Sequence, residues 1–136
     1  MKITQPPLLT LACHCRGCQR MSAGAYSLSV ALPAAGFEVS QGEPVIGGIH
    51  GPSRHFHCPH CKSWLFTRPE GMDDLVNLRA PMLEDASWFA PYVETCRAEG
   101  FPWATTGAKH SFPNIPEPTV WGPLTLEFAE HGPRPA

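Results

Sequence analysis

The chain has 136 residues, 43 % of them apolar, which suits one domain with a real but modest core. Ten Lys and Arg against twelve Asp and Glu give a formal charge of −2 and no basic block to follow a phosphate backbone, which argues against nucleic acid as a partner. No membrane segment is read either: the apolar stretch before Cys13 covers only residues 8–12, short of the roughly 7–15 of a secretory h-region, and no run approaches the roughly 18 of a spanning helix.

A cytoplasmic protein follows from this reading, and in that reducing compartment six cysteines serve as ligands or catalysts more readily than as disulfides. Sixteen prolines and twelve glycines point to short strands joined by many turns. The strand signals, in chain order, are YSLSVAL (26–32), FEVSQ (37–41), RHFHC (54–58), WLFTR (64–68), LVNLR (75–79) and YVETC (92–96). Pro33, Gly36, Gly42, Pro44, Gly51 and Pro69 punctuate them. The best helical candidate is APMLEDASWF (80–89), two or three turns at most. After Phe101 the chain reads as proline-punctuated coil, anchored by Trp103, Phe112, Trp121 and Phe128. These features describe one domain, 1–136, with a proline-rich C-terminal tail from about 113.

The run LACHCRGCQ (11–19) concentrates the chemistry. On an extended segment Cys13 and Cys15 share a face and His14 takes the other, as a residue behind the site or at the surface. Gly17 permits a tight turn that returns Cys18 to the same point. Three thiolates around one ion leave a fourth tetrahedral position free, the arrangement zinc uses for chemistry. A second pair, Cys58 and Cys61 in HCPHC (57–61), has the CxxC spacing of a metal turn. A redox reading expects a helix after the pair, whereas SWLFTR continues as a strand. Cys96, with no ligand neighbour in sequence, reads as a core thiol.

The pattern CxCxxC followed by CxxC, carried by ACHCRGCQRMSAGAYSL (12–28) and SRHFHCPHCKSWLF (53–66), resembles the glutathione-dependent formaldehyde-activating enzymes and the centromere protein V-like proteins. FPWA (101–104) and HSFP (110–113) extend the resemblance. It implies a mainly β, zinc-binding fold, an Mss4-like β-tent of small antiparallel sheets. It also implies that Cys13, Cys15 and Cys18 hold the zinc that meets a thiol substrate, glutathione, which adds to formaldehyde or a related small aldehyde in a carbon–sulfur lyase type of reaction.

In that family a structural zinc takes the CxxC pair, here Cys58 and Cys61, together with a CxC on an earlier strand that is missing from this sequence. Two cysteines alone would hold that zinc weakly. His55, His57 and His60 are conceivable replacements, but His60 sits inside the CxxC turn and His55 and His57 share a strand face, so one zinc is expected and the second site is doubtful. A single zinc gathering all five cysteines is the remaining arrangement. Arg54 and Trp103 are the expected substrate-binding residues, with Arg20, Lys109 and Trp88 as further candidates. An edge left without its first strand offers a surface for a homodimer. The alternative reading is a non-catalytic Mss4-like zinc-binding module for protein interaction.

Overall fold

The computed structural model describes residues 1–136. Ten strands and two helices follow one another as β1 (Lys2–Ile3), β2 (Leu9–Cys13), α1 (Arg16–Ser22), β3 (Ser27–Pro33), β4 (Phe37–Glu38), β5 (Val45–Ile46), β6 (Arg54–His57), β7 (Trp64–Arg68), β8 (Leu75–Arg79), β9 (Val93–Thr95), β10 (His110–Ser111) and α2 (Pro118–His131). The chain is thus mainly β. Hydrogen bonding joins eight strands into one mixed sheet in the order β10-β9-β2-β3-β8-β7-β6-β5, while β1 and β4 form a separate two-stranded antiparallel ribbon. The sheet is antiparallel from β2 to β5, but β9 runs parallel to both β2 and β10, which an expectation of small antiparallel sheets alone does not contain.

Alternation along the strands divides the sheet into two faces. Val30, Leu32, Phe66, Val76 and Leu78 point one way and form a core with Phe37 and Ala80. Trp88 and Phe89 close over it from the connection after β8. That connection is a single 3-10 turn, Ala80–Met82, and then irregular chain, so the helix expected over 80–89 is not formed.

On the opposite face Leu9, Ala31 and Val93 meet Leu124 and Phe128 of α2. The expected C-terminal coil is therefore a fourteen-residue helix from residue 118. Pro118 sits in its first turn, where its fixed φ suits the helix and its missing N–H costs nothing. Pro123 lies inside and removes one backbone bond, a loss offset by burial of Leu124 and of Phe128, which is 0 % exposed. Arg134 Nη2 donates to the Phe128 and Ala129 carbonyls and closes the C-terminus. No helix is long and apolar enough to cross a membrane.

Candidate metal centre

Strand β2 ends at Cys13, and Cys15 caps α1, its Sγ accepting a hydrogen bond from the Cys18 N–H at 3.4 Å. The turn that returns Cys18 toward Cys13 is therefore the first turn of a helix. Gly17 matters for a different reason from the one expected: a Cβ there would lie 1.8 Å from the His50 ring, so the glycine lets His50 rest against α1. His50 Nε2 is consequently 3.9 Å from Cys15 Sγ.

The three sulfurs of Cys13, Cys15 and Cys18 all lie within 4.8 Å of one another. In a tetrahedron with Zn–S bonds of about 2.3 Å, sulfurs are about 3.8 Å apart, so little closure is needed to hold an ion. Hydrogen bonds from Cys15 and then Cys18 hold the Cys13 thiol far below its ordinary range. Cys18, sharing its proton with Cys13 and Cys15 and half-buried, is pushed strongly upward. Without a cation the cluster thus keeps protons that a divalent metal would displace. The donor set fits zinc, and its three sulfurs leave a fourth position to an exchangeable ligand.

No other group of three or more His, Cys, Asp or Glu side chains converges anywhere in the chain. Cys58 and Cys61 occupy the β6–β7 knuckle, where the Cys58 N–H donates to the Ser63 carbonyl and the Lys62 N–H to the Cys58 carbonyl. Cys61 is exposed, shares a 3.2 Å hydrogen bond with Ser63, and is lowered to about 7 by Ser63 first and Cys58 next. His55, His57 and His60 do not complete this pair. His55 bonds Thr67 Oγ1 and the His50 carbonyl, and a bulge between Phe56 and His57 re-aims His57 against Trp64. Nor do Cys58 and Cys61 join the other three cysteines.

His14 turns to the reverse face, fully buried, with Nε2 2.8 Å from Glu94 Oε2 on β9. Gln19 Nε2 donates to the His14 and Glu99 carbonyls, and the Arg16 N–H donates to Glu99 Oε2, so α1 is tied to His14 and to the turn Arg97–Glu99. Cys96 is buried, as expected of a core thiol, and it lies near enough to the cluster to feel the charge of Cys13. Burial first, then the charges of Cys13 and Cys15, push its thiol up to about 12.

Two recesses flank the cluster. A polar one, reaching the cluster through His50, is lined by Arg20, His50 and His57. A deeper, mostly apolar one beside Cys13 and Cys18 runs over the sheet toward Trp121 and Thr125 of α2. Arg54 is exposed and alternates onto the opposite face from His55, and Trp103 is 73 % exposed and stacked on Phe101; neither lines these recesses. Lys109 is engaged with Glu127 of α2, and Trp88 packs on the other core.

Sequence reasoning missed Asn77 and Arg79. The alternation in LVNLR held the clue, since Val76 and Leu78 occupy the core face and leave Asn77 and Arg79 to the other. Arg79 is buried over the Trp64 ring, 4.1 Å from its centroid. Burial lowers its guanidinium to about 10, with the charges of Cys18 and Cys13 acting the other way, so it remains a cation at neutral pH.

A comparison with curated proteins finds no match. The sequence profile described as glutathione-dependent formaldehyde-activating enzyme matches residues 1–98, which includes the three-cysteine cluster, the CxxC knuckle and every strand of the sheet except β10. The chain belongs to the glutathione-dependent formaldehyde-activating enzyme family.

Proposed function

We propose that this chain is a zinc-dependent enzyme of the S-(hydroxymethyl)glutathione synthase type, adding the thiol of glutathione to formaldehyde or a related small aldehyde on an Mss4-like scaffold. The observation that carries the reading is the convergence of Cys13, Cys15 and Cys18 at the junction of a polar and an apolar recess. Zinc held by the three cysteines supplies, when bound, a Lewis-acid position at which a thiol is deprotonated at neutral pH.

The protein's own groups bind and orient. Arg20, exposed on α1 and lining the polar recess with His50, offers its guanidinium to a carboxylate of the tripeptide. His50 Nε2, 3.9 Å from Cys15 Sγ, is placed to accept the thiol proton. The glutathione thiolate forms a bond to the carbonyl carbon, the π pair moves onto oxygen, and that oxygen takes a proton from solvent. The guanidinium of Arg79, charged within the apolar recess, favours the oxygen as it becomes negative.

The test has two arms. Glutathione should protect Cys15 from alkylation in the zinc-loaded protein. In addition, the protein should accelerate exchange between formaldehyde and S-hydroxymethylglutathione above the uncatalysed rate. Equal labelling of Cys15 with and without glutathione would remove the thiol-substrate reading; protection without exchange would turn it toward a binding module.

A further inference from the structure

The apolar recess is far larger than formaldehyde requires. Its volume is about 460 Å³, whereas a two-heavy-atom aldehyde displaces roughly one or two waters, about 30–60 Å³. The space has a specific origin in the sequence. Ser27, Ser29 and Ala31 of β3 form its floor, three small side chains in succession on one face, between Leu11 on β2 and Asn77 and Arg79 on β8. Larger residues at these positions would fill the gap beneath α2.

The polar end of the recess is unfinished. Arg79, 8 % exposed, donates through Nη2 to the Asn77 carbonyl but leaves Nε without a partner. Asn77 Oδ1, buried two residues earlier on the same face, also has none. A buried donor and a buried acceptor on neighbouring side chains of one strand face, both without partners, are costly to leave unanswered. A hydroxyl, which both accepts and donates, matches the chemistry of one unpaired N–H and one unpaired carbonyl oxygen. Glutathione suits the space poorly, since it would bring two carboxylates and an ammonium into a mostly apolar recess with one buried cation.

We propose that this recess is the pocket for the apolar chain of an aldehyde of about four to eight carbons, whose oxygen lies at the Asn77–Arg79 end of the recess, on the guanidinium side, beside Cys13 and Cys18. The assignment rests on the thiol-addition reading and adds to it the class of aldehyde. The thiohemiacetal hydroxyl that addition creates carries both the acceptor and the donor that this polar end lacks. Glutathione itself stays in the polar recess on the Cys15 side, and the two reactants approach the cluster from opposite flanks.

Primary alcohols from methanol to octanol, unreactive carriers of the same hydroxyl, test the pocket in the zinc-loaded protein by fluorescence of Trp121 and Trp64. Affinity should rise about fourfold per methylene from propanol to hexanol. Thr125→Phe, which fills the mouth from α2, should weaken hexanol at least about tenfold while leaving glutathione protection of Cys15 unchanged. Arg79→Lys should weaken every alcohol by a similar factor and keep the increment per methylene. In the exchange assay hexanal should exceed formaldehyde in kcat/KM by about tenfold or more. Binding independent of chain length, or unaffected by Thr125→Phe, overturns the pocket even where glutathione still protects Cys15. Length-dependent binding with no glutathione protection overturns the thiol reading beneath it, and with it the aldehyde assignment.

Discussion

His14 and Glu94 meet across the parallel β2–β9 pair, Nε2 to Oε2 at 2.8 Å, on the reverse side of the backbone that presents Cys13 and Cys15. The imidazole is fully buried and Thr106 Oγ1 donates to the same carboxylate oxygen. A residue between two of the three clustered cysteines is thus pinned from behind, which fixes the direction in which its neighbours point. Burial raises the Glu94 carboxyl, but Ser111, Thr106 and His14 outweigh it and hold the group below 4.5. The stabilisation is therefore complete above that value and is lost as pH falls through the lower folded-state value. Glu94→Ala should cost about 1–3 kcal/mol at neutral pH, with the difference from the parent shrinking in acid. Denaturant titrations at several pH values measure this; a pH-independent difference would remove the account based on the ionised Glu94 carboxylate.

Metal content separates the two cysteine groups. Protein purified without chelator should hold about one zinc per chain, lost on Cys15→Ser and kept on Cys58→Ser, because only Cys13, Cys15 and Cys18 converge. Elemental analysis of the three proteins decides this. About two zinc ions in the parent, one of them lost on Cys58→Ser, would mean that the knuckle recruits ligands from outside its present geometry.

Much of this was written in local sequence. WLFTR and LVNLR have the same bounds as β7 and β8, because alternation and branched or aromatic residues coincide there. The CxCxxC spacing also announced the convergence of its sulfurs, although a helical turn rather than a glycine turn performs it. What failed was non-local. Helix α2 was hidden because Pro118 and Pro123 read as breakers, while the force that forms it is the burial of Leu124 and Phe128 against Leu9 and Val93, more than a hundred and about thirty residues earlier. The approach of Cys96 to Cys13 depends on the parallel Cys13–Thr95 register, which no spacing reveals. The apolar recess escaped for the same reason, since Ala31 faces it only through pairing with Asn77.

Reactivity should follow the two thiol environments. Cys61 is exposed and lowered to about 7, whereas Cys96 is buried and raised to about 12. At neutral pH a large share of Cys61 is thiolate, the nucleophilic form, and almost none of Cys96 is. Iodoacetamide should label Cys61 first, at a rate that rises through about pH 7, and leave Cys96 untouched in the native protein. Ser63→Ala should move that rise to higher pH by removing the hydrogen bond beside the sulfur. Mass-resolved labelling tests this, and equal rates at Cys61 and Cys96 would contradict it.

Helix α2 is held in two ways that can be separated. Phe128 is fully buried beneath it, edge-on to Tyr92 with ring centroids 5.3 Å apart, so Phe128→Ala should cost about 3–5 kcal/mol over the whole neutral range. Glu127, one residue earlier, bridges Lys109 and His110 at the surface. Lys109 is the main cause, and it lowers the carboxyl from 4.5 to about 2. A depressed carboxyl stabilises above its ordinary value and ceases to do so as pH falls through about 2. Glu127→Gln should therefore destabilise mildly at neutral pH, more so at low salt, and match the parent once both are below that value. The contrast is diagnostic, because burial of Phe128 does not titrate and the Glu127 clamp does. Thermal unfolding followed by Trp121 fluorescence measures both, and a Glu127→Gln difference that persists unchanged in strong acid would show that the clamp is not what holds the end of α2.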